Sequence, residues 1–189
     1  MSKILTTQLT GLLQRINQTE EDAIEDAARL LAQAGIGEGI VYFACFGEMK
    51  AIEIHAMEGI ANFTKMKPWT PDVQFSSADR VCIFTRSGND TEAIALAQQL
   101  NEEFIPFAAI ASENEGADNE LSQLAYAYIS LKVRGGLIPH PTNLGERVVF
   151  PHLMAALYVY EAIKLSFDEM VDEETFDEND ELIPPSPFA

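Results

Sequence analysis

The amino-acid sequence predicts a three-layer α/β/α domain, a doubly wound sheet of about five parallel strands between two layers of helix. Three observations carry that expectation. Apolar runs without alternation, Ile40-Val41-Tyr42-Phe43-Ala44-Cys45-Phe46, Val81-Cys82-Ile83-Phe84 and Pro106 to Ala111, read as strands buried on both faces, as in parallel sheets. Segments of helical periodicity separate these runs. The 189 residues fit one domain, and a hydrophobic fraction of 47% is that of a globular chain able to bury a core.

The chain opens with helical spacing at Leu5, Leu9, Leu12, Leu13 and Ile16. Thr19-Glu20-Glu21-Asp22 then reads as a new helix start, a hydroxyl cap with an acid three residues on. A second helix is expected from there through Ile24, Ala27, Ala28, Leu31 and Ala34, ended by Gly35, Gly37 and Gly39. The first strand stops at Gly47 and passes into a helical pattern from Met49 to Met57. A short strand is expected near Asn62 to Met66, ahead of the break at Pro68-Trp69-Thr70-Pro71.

The unit then repeats: a strand Arg80 to Phe84, a loop Thr85 to Asp90, a helix Thr91 to Glu103 and a strand Pro106 to Ala111. A polar stretch with Gly116 leads to a short helix near Leu121 and a strand around Tyr128-Ile129-Ser130-Leu131. After a Pro/Gly-rich loop from Gly135 to Gly145, a last helix covers Phe150 to Met170. The domain is thus expected over 1–170. Residues 171–189, ending in Pro184-Pro185-Ser186-Pro187, are expected to be an acidic, disordered tail. Strands alternating with helices at this spacing give right-handed βαβ units and a flavodoxin-like arrangement. The leading helices are additions to that plan. Their apolar stripes need a partner, for which a second copy of the chain is the natural candidate, so a homodimer is expected.

A formal net charge of −18 argues against nucleic acid as a partner, since that binding neutralises phosphates with Lys and Arg. Nine acidic residues from Asp168 onward, with no basic one among them, carry half of the charge. No apolar run reaches the roughly 20 residues that span a bilayer, and the first residues do not read as a secretion signal. A cytoplasmic protein without a membrane partner is expected. Cys45 and Cys82 lie in separate strands and read as buried small hydrophobes. No Cys/His spacing resembles a zinc site, and no metal or cofactor is implied.

Doubly wound sheets bind ligands beyond the carboxyl ends of their strands. Two loops stand there, Cys45-Phe46-Gly47-Glu48-Met49 and Thr85-Arg86-Ser87-Gly88-Asn89-Asp90-Thr91. The second places three hydroxyls and a glycine between a buried strand and a helix N-terminus, whose free N–H groups and dipole suit a phosphate. The same residue types also build any turn before a helix, with Asp90 or Thr91 as a plain cap. The histidines are His55, expected on a helix surface, His140 in a loop between two prolines, and His152 near the start of the final helix.

Strand, Thr85-x-Ser87-Gly88-Asn89, and a helix opening Thr91-Glu92-Ala93 resemble the Ser-x-Ser-Gly-x-Thr loop of the sugar isomerase (SIS) domain. The order of elements over residues 1 to 170 is similar to that family. Thr6-Thr7-Gln8-Leu9-Thr10-Gly11 and Ala155-Ala156-Leu157-Tyr158-Val159-Tyr160 resemble a group of uncharacterised bacterial SIS-like proteins labelled as phosphoheptose isomerases. The resemblance implies a phosphorylated sugar held by Gly47, Glu48, Thr85, Arg86, Ser87, Gly88, Asn89 and Thr91. It implies His152 as catalytic histidine, with Glu58 nearest to the family's carboxylate position and Glu48 or Glu53 as alternatives.

Two departures stand against it. Asp90 occupies the place where the family carries Thr, and the first loop matches Gly-x-Gly-x-Ser only at Gly47, with Cys45 and Met49 elsewhere. A sugar-phosphate isomerase and a non-catalytic phosphosugar sensor or binding module are therefore both expected readings. A flavin-binding flavodoxin relative shares the topology. Its phosphate loop would follow an earlier strand, and aromatic residues do not cluster in these loops.

Overall fold

Five strands form the expected sheet: β1 (Val41–Cys45), β2 (Met66–Pro68), β3 (Arg80–Ser87), β4 (Phe107–Ser112) and β5 (Ala127–Ser130). They are all parallel and lie in the order β2-β1-β3-β4-β5. That order places the reversal of winding between β1 and β3, where a doubly wound sheet opens a crevice. The structure, a computed structural model, describes residues 2–113 and 119–180. Helices α1 (Ser2–Ile36), α2 (Lys50–Glu58), α3 (Thr91–Glu102), α4 (Glu120–Leu124) and α5 (His152–Asp180) complete the layers.

The strands are continuously apolar because each face has its own core. Phe43, Cys45, Cys82, Phe84, Ala108 and Ile110 point to one side, with the buried residues of α1, α2 and α5. Tyr42, Ala44, Val81, Ile83, Ala109 and Ala111 point to the other, with Ala93, Leu96, Ala97 and Leu100 of α3. Both cysteines are free and buried. Among the described residues no helix is long and apolar enough to cross a membrane.

Several boundaries differ from expectation. The two leading helices are one helix of 35 residues. Thr19 does not cap a new start; its hydroxyl donates to the Arg15 carbonyl four residues back, at 3.0 Å, a bond compatible with a continuing helix. No glycine or proline interrupts the chain between Leu12 and Ala34. The apolar stripe of α1 is buried in the chain's own core at Leu12, Ile16, Ile24, Ala27 and Leu31, while Leu5, Leu9 and Leu13 remain half-buried.

Strand β3 runs through Thr85-Arg86-Ser87, which the sequence places in a loop, with a register shift against β4 between Phe84 and Ser87. The edge strand β2 falls at Met66–Pro68, later than Asn62 to Met66. Helix α5 continues past Met170, so the tail expected to be disordered is helical as far as Asp180. Helix-compatible residues such as Glu173 and Glu174, and the absence of glycine or proline before Pro184, account for the extension. Residues 181–189 and the stretch around Gly116 lie outside the described residues. The Pro/Gly-rich loop contains a small antiparallel pair, β6 (Ile138–Pro139) with β7 (Arg147–Val148).

Candidate functional site

The carboxyl ends of β3 and β4 open into a cleft of about 380 Å³. Its walls come from four separate parts of the chain. Strand β3 contributes Arg86 and Ser87, and the end of β4 contributes Ser112 and Glu113. The segment after β5 contributes Val133, Arg134 and Gly135, and the approach to α5 contributes Phe150 and His152.

Two of these groups are buried polar atoms without a partner. Ser112 is 3% exposed and His152 7% exposed, and neither Ser112 Oγ nor His152 Nδ1 has a hydrogen bond among the described residues. One further buried atom, Tyr160 Oη, is in that state. Such groups are uncommon in native proteins because each costs about 1–3 kcal/mol. Their meeting in one cleft marks it as the place where a hydrogen-bonding ligand would be welcome.

His152 is the first residue of α5, and Pro151 before it accepts the Ala155 N–H at 2.8 Å. Burial pushes its imidazole below the ordinary value, the Arg86 guanidinium pushes the same way, and the Glu48 carboxylate opposes both. The side chain is thereby held in its neutral form near pH 7. The sign of the resulting pH dependence follows. The unfolded chain takes up the proton at about pH 6.5, before the folded chain does. Stability contributed by the neutral imidazole is therefore intact above about pH 6.5 and falls as pH drops through the folded value. Thermal unfolding of the wild type should lose stability between pH 7.5 and 5 more steeply than that of His152→Phe. Equal slopes would show that the imidazole is not held neutral.

Arg86 lies at the mouth. Its guanidinium stands 5.4 Å from the centroid of the Phe150 ring and 3.7 Å from Glu48 Oε1. Gly47, in a 3-10 turn over Gly47–Met49, has φ +57°, a conformation that favours glycine and that presents Glu48 toward Arg86. Of the three carboxylates considered from sequence, Glu48 is the one that acts on His152. Glu53 is half-buried on α2 near Cys45, its carboxyl pushed up by burial against the opposing Lys50. Glu58 is not brought to the cleft. It ends α2, the crossover that leads back toward the amino ends of the strands, and nine residues of helix rise about 13 Å along that path.

The hydroxyl loop is partly closed on itself. Asp90 caps α3, its Oδ1 accepting from Glu92 N at 3.0 Å and from Ala93 N at 3.2 Å. Its Oδ2 accepts from the Thr85 hydroxyl at 2.8 Å. The carboxylate thus occupies the helix N-terminus where an anion would sit, and Thr85, 1% exposed, serves the loop instead of the cleft. Gly88 is required by close packing, since a Cβ there would come within 2.7 Å of Asn119 Oδ1. The Asn89 N–H donates to Ser87 Oγ at 3.2 Å, and Asn89 and Thr91 are exposed. Of the residues assigned to the ligand from sequence, Arg86 and Ser87 line the cleft together with His152.

His55 pairs with Glu161 at 2.8 Å on the helix surface, and His140 Nδ1 accepts from Thr142 N and Asn143 N within its turn. Ser112, Glu113 and Arg134 were not read from sequence as site residues. Ser112 and Glu113 directly follow an apolar strand, at the end where ligands bind in such sheets, and that was the available signal. Nothing local marks Arg134.

Residues 1–171 match the family model of DUF2529, a domain of unknown function. The chain is 34% identical over 174 residues to the uncharacterized protein YwjG of Bacillus subtilis (strain 168), across 92% of this chain and 99% of that one. Among solved structures, the sugar isomerase domain of an RpiR transcription factor from Sphaerobacter thermophilus is similar with a TM-score of 0.58 at 14% identity. The match covers 96% of this chain and 98% of that one. Phosphoheptose isomerase GmhA from Neisseria gonorrhoeae gives a TM-score of 0.55 at 14% identity, over 90% of this chain and 94% of that one. At these identities the likeness establishes the fold, that of SIS domains.

Proposed function

We propose that this chain, which belongs to the DUF2529 family, binds a phosphorylated sugar in the cleft at the carboxyl ends of β3 and β4. The observation that carries the reading is the pair of unpartnered buried groups, Ser112 Oγ and His152 Nδ1, on residues that line one cleft with two arginines. A phosphoryl group suits the Arg86 and Ser87 end, where charge-assisted hydrogen bonds are available. Sugar hydroxyls suit Ser112 and His152, whose unmet hydrogen bonds they would complete. A cleft of about 380 Å³ is of the size that takes a small metabolite. The fold shared with a phosphosugar isomerase and with a regulator's sugar isomerase domain is consistent with this chemistry.

The experiment is thermal unfolding with phosphosugars, against their unphosphorylated counterparts, inorganic phosphate and FMN as controls. Ligand at 100 times its dissociation constant stabilises by about 2.7 kcal/mol. Ser112→Ala gives a signature of opposite signs. Removing an unpartnered buried hydroxyl should leave the free protein as stable or more stable, while phosphosugar affinity falls about tenfold. A flat response to every phosphosugar, or a Ser112→Ala variant that binds as well as wild type, would overturn the reading.

Isomerisation is the second reading, favoured by the neutral His152. A neutral imidazole can take the proton from the carbon beside the sugar carbonyl. The electron pair moves to the carbonyl oxygen, which a neighbouring acid protonates, and reversal on the adjacent carbon completes the exchange. Glu113 lines the same cleft and replaces Glu58 as the carboxylate considered for that role. Asp90 at the α3 N-terminus favours the sensor reading instead, because it weakens the phosphate loop.

A further inference from the structure

On the other side of the segment that walls the cleft lies a second cavity, of about 260 Å³. Helix α1 borders it through Gln8 and Arg15, the segment after β5 through Lys132 and Arg134, and β7 through Arg147. Four of the chain's 12 Lys and Arg residues meet here, in a protein of net charge −18, so the groove is a positive island on an acidic molecule.

The groove is built rather than incidental. Arg147 donates through Nε to the Gly136 carbonyl at 2.6 Å and through Nη2 to the Leu137 carbonyl at 2.8 Å. These bonds fix the plane of its guanidinium. Gly136 admits no side chain, since a Cβ would lie 2.8 Å from Val148 N and O. Lys132 at φ 53° and Val149 at φ 62° hold left-handed backbone on either side of the Gly136 segment, a conformation that costs non-glycine residues about 1–3 kcal/mol. Glu20 offsets one charge, lying 2.7 Å from Lys132 Nζ. Arg15 and Arg147 bring two further guanidinium groups to the groove.

We propose that this groove is a second anion site, which takes the phosphoryl group of a small phosphorylated molecule independently of the cleft. Planar, fixed guanidinium groups recognise phosphoryl oxygens in pairs. Arg134 borders both cavities, so it cannot separate them. Arg15, exposed on α1, and Ser112, in the cleft wall, can.

The test is a titration of the full chain with inorganic pyrophosphate, followed through backbone amide chemical shifts. Saturable shifts are expected at Gln8, Arg15, Gly136 and Leu137. Arg15→Gln should weaken that binding about tenfold, and Arg15→Glu further, while Ser112→Ala leaves it unchanged. Unaltered thermal unfolding of the Arg15 variants would show that the loss is one of binding. Shifts confined to Ser87, Ser112 and Phe150, or an Arg15→Gln variant with wild-type affinity, would overturn the second site. Shifts at the groove amides in a protein that binds no phosphosugar would uphold it while removing the cleft reading.

Discussion

Glu20→Ala is expected to cost about 3 kcal/mol of stability, the lower end of what breaking a buried ion pair costs. Glu20 is 7% exposed. One carboxylate oxygen accepts the Ser130 N–H at 2.9 Å and the other pairs with Lys132 Nζ at 2.7 Å. Truncation strands a donor at the end of β5 and leaves a partly buried ammonium without its counter-charge. The Lys132 side chain keeps 29% of its exposure, so water recovers part of the loss, which is why the lower figure is taken. For a chain of this size the melting temperature should fall by roughly 6–12 °C. Glu20→Gln, which keeps an acceptor for Ser130, should fall between. Denaturant unfolding of both variants decides it, and a loss below about 0.5 kcal/mol, the range of ordinary surface substitutions, would show that the pair carries no weight.

Asp90→Thr should act on binding in the opposite direction, tightening it. The Asp90 carboxylate sits on Glu92 N and Ala93 N, the donors that a phosphate at this helix N-terminus would use. At an effective dielectric near 20, a carboxylate about 5 Å from a unit negative charge repels it by roughly 3 kcal/mol. Threonine still caps a helix but lacks the second oxygen that accepts from Thr85, so the fold should lose about 1–3 kcal/mol, less than with alanine. Phosphosugar affinity, measured by calorimetry, is expected to rise at least roughly tenfold. Asp90→Ala is the contrasting variant. It removes the cap and also orphans the buried Thr85 hydroxyl, so its stability should drop by about 2–4 kcal/mol. An unchanged affinity in Asp90→Thr would place the phosphoryl group away from α3, against the guanidinium groups of Arg86 and Arg134.

The parallel strands and the helices between them were legible in the sequence because each depends on local pattern. A run such as Val41 to Cys45, apolar at every position, already implies two buried faces. The fold class follows from how such runs alternate with helical periodicity. The loop Thr85 to Thr91 was likewise visible as chemistry, and His152 as a candidate histidine.

Tertiary structure decided what these residues do, because the partners are far apart in the chain. Thr19 has the composition of a helix start. Packing of α1 along the sheet and α5 keeps the helix continuous, and Glu20 then reaches Ser130, 110 residues away. Whether Asp90 caps or repels, and whether Thr85 faces a ligand or a carboxylate, depends on a 2.8 Å contact within the folded loop. Ser112 became a candidate only when the fold set it beside His152, buried and without a partner. Periodicity specifies which faces are covered; hydrogen-bond satisfaction is a property of positions in space, and only the assembled sheet and helices supply those.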